Sequence, residues 1–387
     1  MKQPRSAYIK LQKHLDNQAM GFPATRSGAE LKVLKHIFTP EEAEIACCMS
    51  HKFEPLESIY SRANGRVESS AELEQILNRI QDKGGIESRI IDGKMQYCNA
   101  PLVVGMYELQ LNRLTAEFIQ DFDEYTGSKT FGLAFLGTKL PQLRTIPVSQ
   151  SIHPQNNVST FDEVRALLRQ AKEPFVIAEC ICRKKKSMQG KSCRATARKE
   201  TCLAAGSMAE MVLRSSGGRE IDRNEALEII DLNQQDGLVL QPSNAQKAEF
   251  ICSCCGCCCG MLSVQKSLPK PLDFWASNFY ATMDRDTCVG CGACAQRCQV
   301  DAVNFSGKNQ PAAVDLNRCL GCGVCIPGCP SHSISLEKKP TEIKPPQTRE
   351  ELHDIIAAAR NGRLGKLKLI GKLVVDSVRT GHFDLLR

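Results

Sequence analysis

The sequence predicts an α+β chain of several domains: helical with a small ribbon at the N-terminal side, cysteine-rich α/β in the middle, and helical and basic at the C-terminal end. Three observations carry this. At 387 residues with 42% hydrophobic content, the chain is too long for one small domain and has the material for two to four cores. Helix caps and a hairpin signal crowd the stretch before residue 126, and eighteen of the 21 cysteines lie between Cys180 and Cys329. The last fifty residues hold eleven basic and six acidic side chains, most of the net charge of +7.

The first domain is expected over residues 21–126. Thr39-Pro40-Glu41-Glu42 is a capping box with proline at the first helical position, opening a helix to about Met49. Further helices are expected near 54–63 and 70–82, the last stopped by Gly84-Gly85. Residues 86–91 and 94–98, joined by Asp92-Gly93, read as a two-stranded hairpin, and a long amphipathic helix is expected from about 104 to 125. Three helices followed by a two-stranded wing is the order of a winged helix-turn-helix, which this stretch resembles. Such folds bind DNA or dock proteins. Residues 54–85 carry six acidic and four basic side chains, and phosphate contacts need the opposite balance, so docking is expected over DNA. Cys47, Cys48 and Cys98 read as small buried hydrophobes.

Residues 127–158, with Pro141, Pro147 and Pro154, read as a linker. A cysteine-rich domain is expected over 159–275. A capped helix near 161–171 and a buried strand at 174–179 deliver Cys180-Ile-Cys182-Arg183, and Cys193 and Cys202 follow. Fifty residues on comes a dense block of Cys252, Cys254, Cys255, Cys257, Cys258 and Cys259. A helix capped by Asp222 and a strand after Gly237 give the chain the means to bring the two groups together. Residues 179–202 hold eight basic and two acidic side chains, and cations beside thiols stabilise the thiolates that bind metal. Ten cysteines exceed one cluster, and adjacent cysteines point apart, so the dense block cannot all meet one centre. One or two additional iron–sulfur clusters are expected here, against zinc or a solvated basic loop.

Between residues 276 and 338 the pattern C-x2-C-x2-C-x3-C occurs twice: Cys288, Cys291, Cys294, Cys298 and Cys319, Cys322, Cys325, Cys329. Three thiolates two residues apart on a tight loop wrap three corners of a cubane, and Gly290, Gly292, Gly321 and Gly323 let the backbone approach it and take positive φ. Structural zinc uses paired cysteines across a long gap instead. Residues 284–337 resemble a bacterial-type 2[4Fe–4S] ferredoxin domain, which implies a βαββαβ fold. In that family the fourth cysteine of each run ligates the other cluster. The resemblance thus implies Cys288, Cys291, Cys294 and Cys329 on one cubane and Cys319, Cys322, Cys325 and Cys298 on the other. Gln299 stands where the family has proline, whereas Pro330 keeps that place in the second run. Over most of its length the sequence also resembles anaerobic ferredoxin-like proteins that join a helical domain, a C-x-C-R segment, a cysteine-dense segment and a dicluster ferredoxin.

The tail, 339–387, is expected to hold a helix capped by Thr348 and a second from Leu364. There Leu367, Ile370, Leu373, Val374 and Val378 share one face among lysines, packing on a core, or docking on a partner or a membrane surface. No apolar N-terminal signal and no 18-residue apolar run occur, which places the thiolates in a reducing cytoplasm, spanning no membrane. Neither common nucleotide loop nor a hydrolase or zinc-protease motif is present. The leading expectation is an electron carrier or electron-transfer subunit serving a redox partner. An enzyme with a catalytic cluster at the dense block and a redox-sensing regulator are the alternatives.

Overall fold

The computed structural model describes residues 4–63, 65–138, 140–152, 158–215, 217–360 and 362–384. The chain mixes helix and sheet and divides into two compact units, each discontinuous in sequence. One comprises residues 1–139, 207–219 and 353–369, the other 140–206, 220–352 and 370–387. The sequence reading ran each domain continuously, whereas here the helix Ser207–Ser215 belongs with the first unit.

The first unit holds the helices Pro4–Asp16, Ala29–Ile37, Pro40–Ala46, Leu56–Ala63 and Ser70–Asp82 and a three-stranded sheet whose first strand lies between the third and fourth of them. The Thr39 box forms as expected, with its side chain accepting from the Glu42 N–H and the Glu42 carboxylate accepting from the Thr39 N–H. Strands β1 (Glu54–Pro55), β2 (Ile86–Ile91) and β3 (Lys94–Asn99) lie in the order β1-β3-β2. The β2–β3 turn puts Asp92 and Gly93 at φ 51° and 76°, the two positive values a two-residue hairpin turn requires. The first helix was not expected, although Tyr8, Leu11 and Leu15 give it a buried stripe at helical spacing. The long helix expected over 104–125 does not form. Gly105 breaks helical geometry, a short turn follows at Glu108–Gln110, and Thr115 caps a new helix, Ala116–Thr126, by accepting from the Phe118 N–H. The supposed linker likewise contains a helix, Lys129–Leu136, capped by Ser128; Pro154 lies outside the described residues.

The second unit is built on a five-stranded sheet of β4 (Phe175–Glu179), β5 (Glu200–Ala205), β6 (Arg219–Ile221), β7 (Val239–Pro242) and β8 (Phe250–Cys254), in the order β6-β4-β5-β8-β7. The pairs β4–β5, β5–β8 and β7–β8 are antiparallel. Alternation along the strands sends Phe175, Ile177, Leu203, Leu240 and Ile251 to one face. There they pack with Leu167 and Leu168 of the helix Val164–Gln170 and with Ala226 and Ile230 of the helix Arg223–Gln235. The helix expected over 161–171 starts later because the Glu163 carboxylate caps it, accepting from the Arg165 and Ala166 N–H groups at 2.8 and 2.6 Å.

Arg144 is 2% exposed and donates to the carbonyls of Ala245 (2.8 Å), Ser243 and Phe161, with Asp162, 1% exposed, 3.6 Å from its Nε. Asn278 donates to the same carboxylate at 2.7 Å. Burial raises the Asp162 pKa, and Asn278 and Arg144 oppose the rise. Arg144→Met leaves the Asp162 charge with Asn278 as its one named donor and strips the donor from three carbonyls, and is expected to cost about 3–5 kcal/mol in chemical denaturation. A loss below 1 kcal/mol would show that the network is dispensable.

The cysteine-pattern region pairs β9 (Phe279–Met283) antiparallel with β12 (Ile334–Lys338), and β10 (Val303–Asn304) with β11 (Ala313–Val314). A helix, Ala293–Arg297, precedes β10, but its counterpart before β12 is a single 3-10 turn, Ile326–Gly328. Pro327 removes a helical donor there, and a side chain at Gly328 would overlap Arg297. The expected βαββαβ order is therefore present with its second helix cut to one turn.

In the C-terminal helix, Arg363–Thr380, the apolar face expected to pack is turned outward beyond residue 370. Leu373, Asp376 and Ser377 are buried while Ile370, Val374, Val375 and Val378 are 41–66% exposed. Asp376 draws the ionic side inward by pairing with Lys270 at 3.1 Å and Lys372 at 2.5 Å. Among the described residues no helix is long and apolar enough to cross a membrane.

Candidate metal centres

Seven of the eight patterned cysteines gather in crossed order, with Cys294 and Cys325 near enough to act across the two sets. The thiols of Cys288 and Cys329 both bear electrostatically on Cys294. Cys298, the last cysteine of the first run, acts instead on Cys319, Cys322 and Cys325 of the second. Cys291 is exposed. Within each set the thiols influence one another through charge.

Backbone N–H groups point at these sulfurs. Ala281 donates to Cys319 at 3.3 Å and Ala302 to Cys298 at 3.2 Å, and Gly290 and Ala312 donate to Cys288, holding its pKa below the usual thiol value. The Ser333 hydroxyl lies 3.4 Å from the Cys329 sulfur. Burial pushes Cys322 up to about 12, a thiol that gains from a cation able to neutralise its thiolate. The four glycines all have positive φ, from 62° to 77°. At Gly321 a Cβ would also overlap the Phe279 carbonyl, so this loop is held against β9. Amide donors to sulfur and tight glycine loops are what an anionic four-thiolate cubane needs, and the residues fit it.

Residues 281–336 match the family model described as a 4Fe-4S dicluster domain. This part of the chain is a 4Fe–4S dicluster domain. No curated protein and no solved structure matches the chain.

In the same unit as the dicluster domain, the other ten cysteines separate into six and four. Antiparallel register places Leu203 opposite Ile251 on the core face, so Cys202 lies across from Cys252 on the other face, with Cys254 two residues further. Cys180 caps the helix Ile181–Met188, Cys182 sits in its first turn, and Cys259 caps the helix Gly260–Ser267. These six thiols close a ring in which each is hydrogen-bonded to two others, in the order Cys180, Cys182, Cys259, Cys254, Cys252, Cys202 and back to Cys180. Hydrogen bonds from Cys202 and Cys254 lower Cys252 to about 5. No single tetrahedral ion takes six thiolates, so the ring is the shape of a polynuclear centre.

The remaining four, Cys193, Cys255, Cys257 and Cys258, place their sulfurs within 4.8 Å of one another. The adjacent pairs Cys254/Cys255 and Cys258/Cys259 point apart, Cys252, Cys254 and Cys259 going to the ring and Cys255 and Cys258 to the tetrad, whereas Cys257 and its neighbour Cys258 converge on the tetrad with sulfurs 3.7 Å apart. At Cys257 burial raises the pKa, but hydrogen bonds from the Arg194 N–H and from neighbouring thiols outweigh it and bring the group to about 7.

Two residues gain roles that spacing alone did not assign. Arg183, 7% exposed, donates to Thr201 Oγ1 at 2.5 Å and the Ser253 carbonyl at 2.9 Å, and its charge faces Cys180 and Cys202 of the ring and Cys255 and Cys193 of the tetrad. A fixed guanidinium so placed offsets thiolate charge on both sides. Gln299 accepts a 2.8 Å hydrogen bond from the Gly256 N–H, and a Cβ on Gly256 would overlap the Gln299 carbonyl. The residue after Cys298 thus ties the dicluster domain to the turn bearing the tetrad, which a proline could not do. Cys47, Cys48 and Cys98 join neither group; Cys48 and Cys98 are buried, and Cys48 meets Arg66.

Proposed function

We propose that this iron–sulfur protein is an electron-transfer protein that relays single electrons through two [4Fe–4S] clusters and at least one further iron–sulfur centre at the six-thiol ring to a redox partner. The observation that carries the reading is the crossed gathering of Cys298 with Cys319, Cys322 and Cys325, and of Cys329 with Cys288 and Cys294, in the same unit as the ring. Bound clusters supply one-electron chemistry; the chain supplies thiolates, amide donors to sulfur and Arg183, which hold the charge of each redox state.

A winged-helix-like docking role for residues 21–126 is part of the proposal. The helix Ser70–Asp82, which would enter a DNA groove, has Asp82 and Asn78 engaged by Arg214 at 2.9 and 3.0 Å, and this cover together with the helix's acidity favours protein docking over DNA. The exposed aliphatic stripe of Ile370, Val374, Val375 and Val378 beside Arg379 supports a partner contact through the C-terminal helix. A catalytic cluster remains the second reading, since six thiols are two fewer than two closed cubanes use and two such clusters would keep metal positions open.

Anaerobic reductive titration followed by EPR tests the proposal. At least three electrons per chain are expected, with spectra unchanged by carbon monoxide or cyanide. A spectral shift on adding either ligand would move the assignment to an enzyme, and uptake of only two electrons would remove the third centre.

A further inference from the structure

The tetrad is too tight for a cluster. Its sulfurs lie 3.6 Å apart for Cys193 and Cys255, 3.8 Å for Cys193 and Cys257, and 3.7 Å for Cys257 and Cys258. A cubane stands its own iron and sulfide atoms between every pair of cysteine sulfurs. A single tetrahedral ion does the reverse, since metal–sulfur bonds of about 2.3 Å bring four sulfurs to about 3.8 Å from one another. The observed contacts match that edge length.

We propose that Cys193, Cys255, Cys257 and Cys258 bind one mononuclear zinc ion. Four soft thiolates in a tetrahedron are a zinc donor set, and with all four positions taken by protein no site is left for substrate, so the ion is structural. The local chain explains what it holds. Cys193 lies in the stretch between the helix Ile181–Met188 and β5, which has neither helix nor strand of its own, and Cys255 to Cys258 form the turn between β8 and the helix Gly260–Ser267. Zinc joins that loop to that turn. Leu238 packs beneath the buried Cys255 and Cys258, while Cys193 and Cys257 are half-buried, giving the ion an entry path. The Arg194 N–H, 3.4 Å from the Cys257 sulfur, and the Arg183 guanidinium stabilise the thiolate charge that four cysteines bring to one divalent ion. The spacing hid this site, since its ligands are not two C-x2-C pairs: three come from the dense block and one from sixty residues earlier.

The inference is independent of the electron-transfer reading. Metal analysis of the full chain, purified anaerobically without added zinc, is expected to give one zinc per chain beside the iron. Zinc-edge X-ray absorption is expected to show four sulfurs at about 2.3 Å and no metal neighbour. Cys193→Ser with Cys257→Ser should abolish the zinc and leave the iron content and the EPR of the dicluster domain unchanged. Absence of zinc from the wild type, a metal neighbour in its absorption spectrum, or loss of iron in the double variant overturns the assignment. Should the double variant not fold, the wild-type stoichiometry and absorption spectrum decide alone. An iron shortfall at the ring with zinc present in the tetrad would count against the relay and not against this site.

Discussion

Cys298→Ala is expected to destroy the cubane held with Cys319, Cys322 and Cys325, or convert it to a three-iron form, and to leave the other cluster's EPR signal intact. The result is counter-intuitive from sequence order, because Cys298 belongs to the run that begins at Cys288. Its thiol nevertheless bears on Cys319, Cys322 and Cys325, whereas Cys294 faces Cys288 and Cys329. Cys322→Ala should therefore give the same surviving spectrum as Cys298→Ala, and Cys291→Ala the same as Cys329→Ala. If Cys298→Ala and Cys291→Ala abolish the same signal, each run serves its own cluster and the crossed assignment is wrong. Iron content should fall by about four per chain where the cubane is lost, or by about one where it is converted.

The dicluster domain was legible because its chemistry is local. Eight cysteines at fixed spacing and four glycines at positive φ specify loops whose geometry depends little on the rest of the chain. The Thr39 capping box, the Asp92-Gly93 turn and the Asp222 cap were readable for the same reason: each is decided within four residues. What failed was decided at longer range. The helix expected over 104–125 had the right periodicity, but Gly105 and the cap at Thr115 divide it, and tertiary packing of Tyr107 on Phe122, with centroids 4.0 Å apart, holds the divided form. The apolar stripe of the C-terminal helix was visible, but its orientation depended on ion pairs from Asp376 to Lys270 and Lys372, which periodicity does not report.

The second cysteine set shows the same limit at the site itself. That ten cysteines exceed one centre followed from counting, and that Cys254 parts from Cys255 and Cys258 from Cys259 followed from adjacent side chains pointing apart, a rule that Cys257 and Cys258 break. The partition into six and four did not follow, because it depends on the register of β5 against β8, which sets Cys202 across from Cys252, and on where the Cys193 loop closes. Arg183 could have been suspected from its place directly after Cys182 among eight basic residues. Only the fold shows that it, rather than the exposed Lys191 or Lys199, is the one buried between the two thiol groups.

Replacing Cys180 and Cys182 together by serine is expected to have the other large effect, emptying the ring of metal while sparing both other sites. The ring's closure is the reason. Each thiol is hydrogen-bonded to two neighbours, so a polynuclear centre here is no single cubane with separated corners but one that shares its ligands around the whole circuit, and losing two adjacent members opens one side. Iron should fall to about eight per chain, the content of two cubanes, with the dicluster EPR unchanged because its ligands are separate. Zinc at the tetrad should stay at one per chain. A sharper version uses Cys182 and Cys252, which stand opposite each other in the ring: Cys182→Ser and Cys252→Ser, made singly, should perturb the same spectroscopic signal if the six thiols serve one centre. Two different signals would mean that the ring is two sites in contact. Loss of zinc instead of iron from the Cys180/Cys182 variant would make the ring a zinc–thiolate cluster and end its role in electron transfer.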